Sequence, residues 1–164
     1  MKLNIGPGQS GEGDWKIDLY PFDDKTKVLD IVVEDLPFED NFFDEVEARH
    51  VLEHVPTQIR WREEGEWFLR FPRVELMREI YRVLKPGGIL LAVVPGRIPE
   101  WFQDPTHVDV PWTLESFDYF CGHWGGNQTG GEQREAYGIN FQFERVFGEY
   151  DTQWNQWVVR LMKH

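Results

Sequence analysis

The chain has 164 residues, enough for one domain with a sizeable hydrophobic core. It carries 29 acidic against 17 basic residues, and a net charge of −12 repels phosphate backbones and anionic lipid at long range. Naked nucleic acid is therefore a poor substrate class, and no apolar run reaches the roughly 18–20 residues of a membrane span. The single cysteine, Cys121, permits no internal disulfide and suits a reducing compartment. The opening Met1-Lys2-Leu3-Asn4-Ile5-Gly6 meets glycine before a signal-peptide core can form, so a cytoplasmic location is expected. Aromatic residues reach 15%, which suits a packed core together with a site for a planar or apolar ligand.

Lys2 to Ile5 is the first strand candidate, stopped by Gly6-Pro7-Gly8. Trp15 to Leu19 is a second, ended by Tyr20-Pro21, and Val28 to Val33 is a third. Phe43 to Ala48 alternates and gives a fourth. A helix is predicted from Val74 to Leu84, because Val74, Met77, Tyr81 and Leu84 share one face. Pro86-Gly87-Gly88 stops it, and the apolar run Ile89 to Val94 reads as a strand covered on both faces. Ile139, Phe141 and Phe143 alternate with polar residues, as do Trp157, Val159 and Leu161, with a turn-like stretch from Gly148 to Asn155 between them. The expected fold is α/β in one domain over 1–164, mostly parallel with an antiparallel C-terminal hairpin. Ligands on such sheets bind at the carboxyl ends of the strands, near the point where strand order reverses.

The chemistry-bearing residues cluster there. Gly6-Pro7-Gly8 lets backbone approach a ligand and offers N–H groups, although it is neither a dinucleotide fingerprint nor a P-loop. Asp18 ends the second strand, where a carboxylate can accept both hydroxyls of a ribose; a solvated strand-end acid is the plain alternative. His50, Glu53 and His54 form an H-x-x-E-H pattern, which raises a remote zinc-hydrolase alternative. Pro56 leaves little helix, so no metal is expected; His50 should line the ligand pocket and His54 be a satisfied, partly buried histidine. His50 and His107 are base candidates, with Asp104 as an orienting acid. Trp101, Phe102 and Trp112 are candidate substrate walls. Residues 122–131 are a plain loop or a mobile lid carrying Trp124.

The order of segments resembles the class I S-adenosylmethionine-dependent methyltransferase superfamily, specifically its small type 11 branch. Leu3-Asn4-Ile5-Gly6-Pro7-Gly8 is similar to the family's first motif, and Leu36-Pro37-Phe38-Glu39-Asp40-Asn41 to its turn after the adenine-binding segment. His50-Val51-Leu52-Glu53-His54-Val55 resembles the ending of the fourth strand, and Arg82-Val83-Leu84-Lys85-Pro86-Gly87-Gly88 the family's most recognisable run. Asp104-Pro105-Thr106-His107-Val108 is similar to a substrate-side segment. The resemblance implies a Rossmann-like sheet of order 3-2-1-4-5-7-6 with S-adenosylmethionine as cofactor. It places Asn4, Ile5, Gly6, Pro7 and Gly8 beneath the methionine part, Asp18 and Leu19 at the ribose, Asp30 and Ile31 at the adenine, and Arg49 and His50 alongside. The implied activity is methyl transfer, with a small metabolite or sugar-like hydroxyl favoured as acceptor. The alternative is a catalytically idle module that binds the cofactor and works by association.

One feature of the spacing is unusual. Few residues join the first three strands, whereas a parallel crossover normally takes about a dozen or more. Abbreviated helices are therefore expected in the first half, leaving one sheet face open. Either that face meets a partner, a homodimer included, or the 56–72 insertion with Trp61, Trp67, Phe68 and Phe71 folds over it.

Overall fold

The computed structural model describes residues 1–9, 11–96, 104–108, 110–124, 127–128 and 131–164. Four strands come first: β1 (Lys2–Ile5), β2 (Trp15–Asp18), β3 (Thr26–Val28) and β4 (Phe43–Arg49). A 3-10 turn, Leu52–His54, leads to the hairpin β5 (Ile59–Glu63) and β6 (Glu66–Arg70), then to α1 (Pro72–Val83) and β7 (Leu84–Pro95). The remainder is α2 (Leu114–Phe120), the two-residue strands β8 (His123–Trp124) and β9 (Asn127–Gln128), α3 (Gly131–Ala136), β10 (Phe143–Asp151) and β11 (Gln156–Lys163).

Seven strands form one sheet in the order β10-β11-β7-β4-β1-β2-β3. The five from β3 to β7 run parallel, and β11 and β10 close the other edge antiparallel. Numbered along the chain, these sheet strands read 3-2-1-4-5-7-6, the order the family resemblance implies.

Several boundaries differ from the sequence reading: β7 starts at Leu84 rather than Ile89 and α1 at Pro72 rather than Val74, and two further differences have a local reason. The third strand stops at Val28 instead of running to Val33. Asp30 bends the chain there: its carboxylate accepts the Val32 N–H at 2.9 Å, and its carbonyl accepts the N–H groups of Val33 and Glu34. The terminal hairpin begins at Phe143, so Ile139 and Phe141 are buried core residues ahead of the strand. β10 then continues to Asp151 through a bulge between Arg145 and Phe147, and the true turn is 152–155, with Asn155 at φ 51°.

The core lies on one face of the sheet. Leu76, Met77, Ile80 and Val83 of α1 pack with Leu3, Ile5, Val46, Ala48, Leu90, Ala92 and Val94, whose alternation aims all seven at the same side. Pro72 at the first helical turn supplies a suitable start, since its missing N–H has no intrahelical partner to lose. Arg82 near the end of α1 ties down the preceding turn, donating to the carbonyls of Phe38 at 2.7 Å and Leu36 at 2.8 Å and pairing with Asp40 and Glu79. Much of the recognisable Arg82 and Leu36 motifs is thus mutual support.

On the other face no described helix packs. The described residues between β1 and β2 (6–9 and 11–14) and between β2 and β3 (19–25) form no helix, and on the open face Asn4 donates to the Glu12 carbonyl at 3.0 Å. The insertion does not fold over this face. It forms the β5–β6 hairpin, which leads directly into α1 on the opposite side and leaves Trp67 71% exposed. No helix among the described residues is long and apolar enough to cross a membrane.

Candidate functional site

A cavity of about 390 Å3 opens at the carboxyl ends of β1, β2, β3 and β4, on both sides of the strand-order reversal. Its polar points are Asp18, Asp30, His50, His54 and Thr106, and its apolar walls include Leu19, Leu29, Ile31 and Val51. A cleft of about 460 Å3 between Asp118, Cys121 and Glu144 lies at the opposite, amino end of the parallel strands. Burial pushes the Cys121 thiol there up to about 12, so it stays protonated and unreactive at neutral pH.

The floor of the carboxyl-end cavity is shaped by Gly6. Its φ is +66°, and a Cβ at this position would lie 2.5 Å from Val51, so only glycine fits both the turn and the space. Gly8, at φ +56°, donates its N–H to the Asp18 carboxylate at 3.1 Å, and Tyr20 donates to the same group at 3.3 Å. Asp18 therefore shapes the glycine loop while it faces the cavity, and a carboxylate with about four acceptor sites retains capacity for ligand hydroxyls. Asp30 likewise holds its own turn and lines the same wall.

Seven of the sequence-predicted cofactor residues line this space: Ile5, Gly6, Asp18, Leu19, Asp30, Ile31 and His50. Asn4, Pro7 and Arg49 do not; they border a polar recess of about 450 Å3 on the open face. Gly8 acts through Asp18 rather than as lining. Trp112 is no substrate wall: it is 1% exposed, stacks near Phe117 and donates its indole N–H to the Leu52 carbonyl at 3.0 Å. Trp101 and Phe102 lie outside the described residues. The glycine-rich stretch 122–131 is described only in part, as the small β8–β9 hairpin and the start of α3.

The wall beyond β4 carries the titratable groups. His50 sits at φ 52°, a conformation a non-glycine residue adopts at a cost of about 1–3 kcal/mol. Its N–H is held by the Val93 carbonyl at 2.9 Å, Nε2 lies 3.0 Å from Gln156 Oε1, and Nδ1 lies 3.4 Å from Glu53 Oε1. Glu53 raises the His50 pKa, against partial burial that lowers it. His107 is not among the residues that line the cavity; its Nε2 lies 3.9 Å from Glu53 and 3.7 Å from Asp104. Asp104 also accepts the Thr106 hydroxyl at 2.6 Å and its N–H at 2.8 Å, and these bonds lower the Asp104 pKa.

Glu53 is the residue the sequence reading passed over. It is 1% exposed and central to the group, yet in the sequence it is visible only as the middle of the His50–His54 pattern. The signal was an acid four residues past β4, between Leu52 and Val55 in a turn too short to carry it to solvent.

The strand order is the one that the resemblance to the class I S-adenosylmethionine-dependent methyltransferases implies, and the glycine turn and two acids lie at the carboxyl-end cavity where that resemblance expects them. Residues 18–92, 75 of the 164, match the family model described as "Methyltransferase domain", type 11. A sterol 4-C-methyltransferase of Caenorhabditis elegans, strm-1, is 28% identical over 120 residues, which cover 73% of this chain and 31% of that protein. The alignment thus spans about a third of the curated relative. Among solved structures, the [4+2]-cyclase SpnF superposes with a TM-score of 0.59 at 16% identity, over 99% of this chain and 73% of that one. The Burkholderia thailandensis 1,6-didemethyltoxoflavin-N1-methyltransferase with bound 1,6-didemethyltoxoflavin and S-adenosylhomocysteine gives 0.56 at 13% identity, over 99% and 70%. At these identities the structural likeness speaks for the fold alone.

Proposed function

We propose that this chain is a methyltransferase that takes its methyl group from S-adenosylmethionine and delivers it to a small metabolite or sugar-like hydroxyl. The observation that carries this reading is the carboxyl-end cavity, with a side-chain-free cradle at Gly6, two acids facing apolar walls, and a titratable wall beyond β4. In this reading Asp18, which faces the cavity, accepts ribose hydroxyls, Asp30 and Ile31 flank the adenine, and the Gly6–Gly8 loop passes beneath the methionine end. When bound, the cofactor would supply an electrophilic methyl on a sulfonium. The chain's own task is alignment, because the nucleophile must sit about 3–3.5 Å from that carbon and in line with it.

A hydroxyl acceptor also has to lose a proton. His50 lines the cavity and is the base in this reading; Glu53 stabilises the imidazolium formed. His107 and Asp104 stand behind Glu53 and Thr106 and act as positioning residues. The acidic surface disfavours nucleic acid as acceptor.

The open sheet face lends weight to a second reading, a cofactor-binding module that works by association without turnover. Calorimetric titration with S-adenosylhomocysteine, beside transfer of labelled methyl into a metabolite extract, separates the two. Binding with label transfer is expected. Binding without transfer to any acceptor favours the module, and the absence of both heat and thermal shift removes the cofactor assignment.

A further inference from the structure

The cavity wall brings together three side chains with metal-ligand chemistry. One donor atom each from Glu53, His54 and His107 lies within 4.8 Å of the others. Glu53 is 1% exposed; among the described residues its Oε2 has no hydrogen-bond partner, and imidazole nitrogens lie 3.4 and 3.9 Å from Oε1. These distances exceed those of charge-assisted hydrogen bonds, about 2.7–2.9 Å. A buried carboxylate left this way is costly unless a cation stands beside it.

The backbone around Glu53 is rigidly held. Trp112 donates to the Leu52 carbonyl at 3.0 Å, the Val108 N–H to the Glu53 carbonyl at 3.1 Å, and Arg73 to the Val55 carbonyl at 2.8 Å. His54 Nδ1 lies 3.1 Å from the Thr106 carbonyl. Donation there leaves the lone pair on Nε2, the arrangement that outer partners impose on metal-bound imidazoles.

We infer that Glu53, His54 and His107 form a divalent metal site in the wall of the carboxyl-end cavity. Two imidazoles and one carboxylate suit a late first-row ion such as Zn2+, Co2+ or Fe2+, and suit Mg2+ or Ca2+ poorly. Bonds of about 2.0 Å in a tetrahedral site require donors roughly 3.3 Å apart, so the three side chains must close by up to about 1.5 Å. Side-chain rotation of the half-exposed His54 supplies much of that movement. With three protein ligands the site keeps at least one open position, and His54 and Thr106 border the cavity, so that position is available to an oxygen of a bound acceptor. The inference does not rest on the methyl-transfer reading, since metal and adenosyl ligand can be titrated separately.

The test is Co2+ titration of the untagged chain without adenosyl ligand, read by visible absorption and by equilibrium dialysis. One equivalent should bind with the absorption of a nitrogen- and oxygen-coordinated ion and raise Tm. Glu53→Gln, His107→Ala and His54→Ala should each weaken binding by roughly tenfold or more, whereas His164→Ala, at the far end of the sheet, should not. His54→Ala keeps the comparison usable should the two buried variants fail to fold. Absence of a stoichiometric site in the native chain, or one equivalent retained in His54→Ala, overturns the inference and leaves the cluster as a proton-sharing network.

Discussion

Leu90 and Leu91 are neighbours on β7 that face opposite ways into two different environments. Leu90 is fully buried in the apolar cluster under α1, while Leu91 is 9% exposed, lies outside that cluster and sits between Glu47 of β4 and Arg160 of β11. The closed face is one continuous core. The open face holds its strands with ion pairs instead, Lys2 with Glu45 and Glu47 and Lys16 with Asp23. Such cross-strand pairs contribute about 0.2–1 kcal/mol each, far less than a buried aliphatic side chain. The contrast teaches that one helical layer and the backbone ladder suffice to set this strand order, with loops in place of two crossover helices.

The largest expected effect is on the closed face. Leu90→Ala should cost about 2–5 kcal/mol in denaturant unfolding, because it removes transfer energy and leaves a cavity that α1 cannot fill. A loss below about 1 kcal/mol would break the comparison, since the two faces would then be energetically alike.

Leu91→Ala should cost less, about 1.5–2 kcal/mol, because transfer energy is lost without a sealed cavity. Measured at several protein concentrations, it also sharpens the comparison. A Tm that is independent of concentration in the native chain leaves the open face bare or self-covered. A Tm that rises with concentration in the native chain, and does so less in Leu91→Ala, shows that another copy sits there.

The closed half of this picture was legible in the sequence, and the open half only in part: the short connections between the first three strands announced an open face, but not how far along the sheet it runs. The apolar run Ile89–Val94 announced a strand buried on both sides, and it is buried, but Leu91 and Val93 lie outside the core cluster. Composition reports burial and does not report what does the covering. The third strand was overextended because Val28 to Val33 has strand composition, while the Asp30 side chain redirects the backbone into a turn. In the site, Gly6, Asp18 and Asp30 were legible because they follow strands at a fixed topological place. Glu53 was not, because the group beside it includes His107, 54 residues further along the chain. Trp112 looked like a ligand wall because it flanks the Asp104–Val108 segment, yet the indole N–H found a buried carbonyl at Leu52 and the ring joined the core.

The smallest effect on stability should come from Asp18, where the two faces meet at the carboxyl edge. Its carboxylate orders Gly8 and Tyr20 through single N–H groups at 3.1 and 3.3 Å, and the segment that follows it is exposed. Asp18→Ala should therefore change unfolding by less than about 1 kcal/mol. The same substitution should weaken S-adenosylhomocysteine by about tenfold or more, the scale of a lost charge-assisted hydrogen bond. Asp18→Asn separates the two duties, because the amide oxygen can still accept one loop N–H while the charge toward the ligand is gone. If the asparagine variant binds as weakly as the alanine one, the carboxylate acts on the ligand. If it binds like the native chain and only alanine fails, Asp18 serves the glycine loop, and the ribose must be held by another group on that wall.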